Sequence, residues 1–128
     1  MSVTGVVAAY HTAMLHKSAD ELADLYAEDG LHEFPFGGLP PFKGREGVRA
    51  GYTMMWGAME ALVKEIRDVA IRRTTDPEVV VAEHETVVTV AGQELAVPGL
   101  LILRVRDGLI VHTRDYMDTS AIARVRAA

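Results

Sequence analysis

The sequence contains no cysteine. Disulfides, thiolate nucleophiles and thiolate metal sites are therefore excluded. Basic charge is also in short supply. Thirteen lysines and arginines stand against 18 acids, for a formal net charge of −5. That balance gives no global attraction to nucleic acid or to an anionic membrane. Basic residues are not interleaved with aromatics in a stripe, so no nucleic-acid surface is expected. No apolar run approaches the ~20 residues of a membrane span. No basic region followed by a long apolar stretch opens the chain. The expectation is a cytoplasmic protein with neither membrane nor nucleic acid as a partner. An HExxH pattern and a phosphate-binding glycine loop are missing too. His11 and His16 are five apart, not an i,i+4 pair, and His84 is merely adjacent to Glu85. No metal and no cofactor is expected.

What is present reads as one globular domain over residues 1–128. Apolar residues make up 49% and charged residues 24%, enough for a core without covalent staples. Residues 4–17 predict a helix with Val6, Val7, Tyr10, Met14 and Leu15 on one face and Ser2 or Thr4 as cap. Ser18-Ala19-Asp20 caps a second helix, with Leu22, Leu25 and Tyr26 apolar, ending at Asp29-Gly30. A short strand over 31–36 and a Gly/Pro loop over 37–41 follow. A third helix over about 45–61 carries Val48, Tyr52, Met55, Trp56 and Met59. Gly51 and Gly57 weaken it by ~1 kcal/mol each relative to alanine. From residue 63 the period changes to that of strands. These span 63–75, 79–90, 95–105 with a bulge or a late start at Pro98-Gly99, and 109–116 after the Asp107-Gly108 turn. Helices first and a meander of three or four antiparallel strands afterwards make an α+β fold.

Three segments carry a family likeness that spans almost the whole chain. They are Glu33-Phe34-Pro35-Phe36 with Gly38 and Pro40-Pro41; Phe42-Lys43-Gly44-Arg45-Glu46-Gly47-Val48; and Val105-Arg106-Asp107-Gly108-Leu109-Ile110, leading to Arg114-Asp115-Tyr116 and Asp118. The chain resembles the nuclear-transport-factor-2-like superfamily, in its SnoaL-like polyketide cyclase and ketosteroid isomerase branch. The first and last segments also resemble phenazine-biosynthesis proteins of the A/B type. The resemblance implies a cone, with N-terminal helices packed on a strongly curved, mostly antiparallel sheet around an apolar pocket, and a homodimer. It does not choose among isomerases, cyclases, dehydratases, epoxide hydrolases and non-catalytic binders.

Asp115 is the first catalytic candidate. The run from His112 to Asp118 puts unusual charge on what reads as the last strand. The resemblance places an acid/base carboxylate at Asp115. A carboxylate in an apolar pocket loses hydration, which favours its protonated form and suits it to exchange protons with a carbonyl, enol or imine. Alternation puts Leu109, Val111, Thr113 and Asp115 on one face. The competing account pairs Asp115 with Arg114 or Arg72 in solvent. Asp118 reads as a cap for a terminal turn over Thr119–Arg126.

His84 is the second candidate, as a mid-strand proton shuttle. Tyr52 is the third, as a donor to an oxyanion. Candidate pocket residues are Tyr10, Met14, His32, Phe34, Phe36, Trp56, Met59, Glu83 and Thr113, with loop 37–43 as the rim. His32 would complement Asp115 across the pocket. Glu83 and Glu85 either reach the pocket or pair with Arg72 or Arg104 on a wet face. The leading expectation is a cofactor-independent acid/base enzyme of isomerase, cyclase or dehydratase type. Its ligand would be a small, apolar or aromatic, carbonyl-bearing metabolite. The alternatives are a non-catalytic ligand-binding or dimerisation protein, and an epoxide hydrolase drawing on Arg104 or Arg72.

Overall fold

The structure is a computed structural model that describes residues 1–118, 120, 121 and 123. Helix α1 (Val3–His16) starts at Ser2, whose hydroxyl accepts from the Gly5 amide, and stops at Lys17 in a left-handed conformation. Lys17 then reaches across the fold to donate to the carbonyls of Met59 and Ala61. Helix α2 (Ala19–Ala23) is capped by Ser18. It is shorter than its apolar spacing suggests, because strand β1 (Tyr26–Glu33) already starts at Tyr26. Tyr26 thus belongs to the sheet and not to a helix face. Strand β2 (Phe42–Lys43) pairs with β1 and leads into α3 (Gly44–Gly57). Strands β3 (Leu62–Arg73), β4 (Val79–Val90), β5 (Gln93–Arg106) and β6 (Leu109–Met117) form the expected meander. Two-residue turns join β4 to β5 and β5 to β6. Both residues of each, Ala91-Gly92 and Asp107-Gly108, have positive φ, which suits the twist of the strands they connect.

The six strands make one mixed sheet in the order β2-β1-β6-β5-β4-β3. Four pairings are antiparallel, and β1 lies parallel to β6. The early strand is therefore internal, not an edge. The expectation of a strongly curved cone is corrected: the sheet is open and neither closed nor strongly curled. Its order gives the reason. Strands β2 and β3 sit at opposite edges and do not pair, and β2 has only two residues with which to bridge anything. Edge strand β3 is mostly exposed and carries Lys64, Glu65, Arg67, Asp68, Arg72 and Arg73, charges that protect a free edge. Helices, not sheet closure, cover the core. Val6, Val7, Tyr10, Leu22, Val48 and Tyr52 pack against Val80, Ala82, Leu101, Leu103 and Ile110 of the sheet.

Two register details position the site. The pairing of β4 and β5 runs through Pro98-Gly99 without a shift and β5 already begins at Gln93, so neither the bulge nor the late start expected there is present. The irregularity lies instead between Arg104 and Val105, opposite His112 and Ile110, which makes Val111 the extra residue. One extra residue reverses the alternation. Ile110 and Thr113 are both fully buried as a result, and Ile110 takes the inward position that simple alternation assigns to Val111.

Candidate active site

Strand β1 brings His32 beside the end of β6, where Thr113 and Asp115 project from the same face. His32 is fully buried, and both of its ring nitrogens are used. Tyr26 Oη lies 2.6 Å from Nδ1 and 2.8 Å from Thr113 Oγ1. Nε2 lies 3.2 Å from Asp115 Oδ2 and 3.0 Å from Tyr52 Oη. Tyr52 donates to the same Asp115 Oδ2 at 3.1 Å. One proton assignment satisfies every member. Thr113 donates to Tyr26, Tyr26 donates to Nδ1, and Nε2–H points to the carboxylate. Rings enclose the histidine: Phe34 at 4.8 Å, Tyr52 at 5.2 Å and Phe42 at 6.1 Å between centroids. Gly51 on α3 makes this enclosure possible. A Cβ there would come within 2.6 Å of three atoms of the Phe42 ring. The glycine that weakens the helix on propensity alone is a seat for an aromatic ring.

Asp115 is the point at which this network meets space. It lines a cavity of about 130 Å³ between the sheet and helices α1 and α3. Tyr10, Met14, Tyr52, Met55 and Trp56 form the helical wall, and His84, Thr86, Val97, Gly99 and Leu101 belong to the sheet wall. The Asp115 side chain retains 15% of its exposure. Both of its hydrogen bonds to the network end on Oδ2, so Oδ1 is left for a ligand. Burial holds Tyr52 well above the ordinary phenol range, and the charge of Asp115 adds to it. Tyr10 is raised by burial and by neighbouring Tyr52 and Tyr26. Burial also raises Tyr26, against an opposing hydrogen bond with Thr113. All three phenols therefore keep their protons. The site combines a carboxylate acceptor with neutral hydroxyl donors.

The sequence candidates divide by position. Tyr10, Met14, Tyr52, Trp56, Met59, His84 and Asp115 line the cavity. His32 lies one layer behind it, bonded to the lining groups Asp115 and Tyr52, and Thr113 lies a further step back, bonded to Tyr26. Phe34 is buried in the core against His32. Phe36 is 62% exposed and packs on Tyr116 outside the cavity. Glu83 lies away from the cavity and bonds Arg72 on the wet side of the sheet, as Glu85 does with Arg67. Alternation explains this, because Ala82 and His84 take the inward positions and leave Glu83 outward. Arg104 is held by Asp76 and Glu78. Neither Arg104 nor Arg72 lines the cavity, so the arginine that epoxide hydrolysis needs is missing from its described wall. Asp118 accepts from the amides of Ser120 and Ala121, in the manner of a cap. Most of the expected Thr119–Arg126 turn lies outside the described residues.

Sequence reading missed Tyr26 and His11. Tyr26 carried no signal, since only the parallel β1–β6 pairing brings it to Thr113. His11 had an indirect one. A glycine in mid-strand often marks a close approach, and Gly99 pairs with His84, which in turn packs edge-on against His11 at 5.0 Å.

Comparisons with known proteins agree with this architecture. The model of the SnoaL-like domain family matches residues 7–113, a segment that stops two residues short of Asp115. An uncharacterised PhzA/B-like protein of Pseudomonas aeruginosa is 35% identical over 100 residues, covering 73% of this chain and 67% of that one. Among solved structures, a provisionally named isomerase of Bacillus subtilis superposes with a TM-score of 0.85. It is 21% identical and covers 97% of this chain and 91% of its own, a likeness of fold alone. A provisionally named polyketide cyclase of Xanthomonas campestris has a TM-score of 0.75 at 26% identity, with 95% of both chains covered. No helix among the described residues is long and apolar enough to cross a membrane.

Proposed function

The chain belongs to the SnoaL-like domain family, within the nuclear-transport-factor-2-like superfamily, and on that premise we propose that it is an acid/base enzyme for a small, mostly apolar carbonyl compound. One observation carries the reading. Asp115 is a carboxylate in the wall of an apolar cavity, anchored through a single oxygen by Tyr52 and His32. Anchoring through Oδ2 fixes the carboxylate and leaves Oδ1 to take a proton from a carbon next to a carbonyl. Negative charge then develops on the carbonyl oxygen. Tyr10 lines the same cavity and holds its proton, so it is suited to donate to that oxygen, while the Tyr52 proton stays on Asp115. Returning the proton at another carbon completes an isomerisation. Attack of the enol carbon on a second carbonyl is a cyclisation, and loss of a hydroxyl is a dehydration.

Cavity size restricts the ligand. About 130 Å³ is close to the ~150 Å³ known to accept one benzene ring. A single ring fits, whereas a four-ring skeleton does not.

Solvent exchange of α-protons tests the reading without the natural substrate. The wild-type protein in D2O is expected to speed deuterium uptake at the α-carbon of small cyclic and aryl ketones, followed by NMR. Asp115→Asn is expected to slow it by about 10²–10⁴-fold with unchanged far-UV circular dichroism. A fully active Asn variant overturns the assignment of Asp115. Ketone binding with no exchange by the wild type would mark a binding protein instead.

A further inference from the structure

A second polar side chain, His84, lines the same cavity, with His11 packed against it. His84 and His11 are both buried, and their rings meet edge-on at 5.0 Å. His84 Nδ1 and His11 Nε2 are buried without any hydrogen-bond partner. Neither ring forms a hydrogen bond among the described residues, whereas His32 uses both nitrogens. Buried polar atoms in folded proteins are nearly always paired. These two orphans are sealed, so the nitrogen left for a ligand is His84 Nε2, which lies over cavity-lining Gly99 and has no hydrogen-bond partner among the described residues either. His84 lines the cavity directly.

The sheet is shaped for this ring. His84 pairs with Gly99, and a Cβ on Gly99 would lie 2.6 Å from His84 Nε2. Glycine in mid-strand costs sheet propensity, and here it leaves the room that the imidazole fills. Burial lowers both histidines. His11 falls to about 4, with His84 adding to the effect, while His84 is partly restored by the charge of Asp115. Both rings are therefore neutral at neutral pH. Each has one N–H donor and one lone-pair acceptor. According to its tautomer, His84 Nε2 donates to a carbonyl or accepts from a hydroxyl. It offers no fixed charge to hold an anion.

Its distance from Asp115 follows from register. Asp115 pairs with Leu101, which pairs with Ala82, while Gly99 pairs with His84. His84 is thus two strands across and two residues along from Asp115, on the same face. At ~4.8 Å between strands and ~3.4 Å per residue, the two Cα atoms are roughly 12 Å apart. The side chains approach each other over a cavity of one ring.

We propose that His84, backed by the ring of His11, is a second ligand-binding centre that takes a hydroxyl or carbonyl oxygen at the end of the ligand remote from Asp115. The ligand class is then a single apolar ring with oxygen functions at opposite ends. The proposal rests on the acid/base reading for the position of the other oxygen.

Benzaldehyde and 4-hydroxybenzaldehyde are the probes, because they differ only in the second oxygen. Wild-type protein is expected to bind 4-hydroxybenzaldehyde about tenfold more tightly, by titration calorimetry. His84→Phe keeps a flat ring over Gly99 and is expected to erase this preference while leaving benzaldehyde affinity within about twofold. His84→Leu gives the same answer should the Phe variant fail to fold. One measurement needs no variant: 4-hydroxybenzaldehyde, and not benzaldehyde, is expected to move the imidazole ¹⁵N resonances of His84. Equal wild-type affinities, binding of neither probe, or unmoved resonances overturn the proposal. Tyr10→Phe separates it from the acid/base reading. That variant is expected to weaken both probes alike. If it weakens neither while His84→Phe still erases the preference, the carbonyl placement fails and the His84 centre stands.

Discussion

Two buried histidines, one on each side of the cavity, have opposite fates. His32 is held by Tyr26, Tyr52 and Asp115, with four rings around it. His84 has only the edge of His11 and the gap above Gly99. Both are buried on the same sheet, so burial alone does not say what a histidine is for. A saturated ring fixes the geometry of its neighbours, here the carboxylate of Asp115. An unsaturated ring keeps its hydrogen-bonding capacity for something that arrives later. The difference predicts that changes at the two sites will separate stability from binding.

The largest separation is expected from His32→Leu. It leaves Tyr26 and Asp115 each short of a partner and removes the centre of an aromatic cluster. A loss of roughly 2–4 kcal/mol in urea unfolding is expected. His84→Phe, which deletes no hydrogen bond, should cost under about 1 kcal/mol. Equal losses in the two variants would break the comparison.

Acid titration gives the next largest effect, and its sign is set by the unsaturated pair. An unfolded histidine titrates near 6.5, while His11 in the fold titrates at about 4. The unfolded chain therefore binds the proton first. Stability present above pH 6.5 is lost as pH falls towards 4, by on the order of 3 kcal/mol. His84 is lowered as well and acts in the same direction. A melting-temperature series over that window, repeated on His11→Phe, should show a flatter profile for the variant. An unchanged slope would sever His11 from the effect. Glu78, lowered to about 2 by Arg106 and Arg104, acts in a separate window as pH falls from 4.5 to 2.

Two glycines sharpen the contrast further. Gly51→Ala drives a Cβ onto the Phe42 ring, which is held on its inner side by Phe34, His32 and Tyr52. A cost of about 1–3 kcal/mol is expected despite the better helix propensity of alanine. Gly99→Ala meets only the far end of the His84 ring, which has cavity on one side. Its expected cost is smaller, about 1 kcal/mol or less. Its visible consequence is a displaced His84 in the ¹⁵N spectrum. A reversed order of the two costs would mean that Phe42, not His84, is the ring free to move.

Much of this architecture is legible along the chain. The Val/Thr alternation of 79–90 and the two turns with glycine second specify strands whose side-chain period is local. The same alternation separates His84 from Glu83. Other features depend on partners distant in sequence. Tyr26 reads as a helix residue because its spacing from Leu22 and Leu25 fits one; its place in β1 is set by pairing with Ile110. Val111 reads as inward until the extra residue in β6 is seen. Strong curvature was implied by family likeness, whereas openness follows from which strands occupy the edges.

The sequence by itself determined the class of this protein: helices, then a meander, no thiol chemistry, and a charged final strand with Asp115 as its candidate. Those properties follow from composition and from local periods that each residue shares with its near neighbours. Only the tertiary structure decided which polar groups meet. Parallel pairing of β1 with β6 joins His32 to Asp115, and the packing of α1 over β4 brings His11 and His84 together with no hydrogen-bond partner among the described residues. Hydrogen bonding acts over about 3 Å, and residues 83 positions apart reach that distance only when the whole sheet has formed.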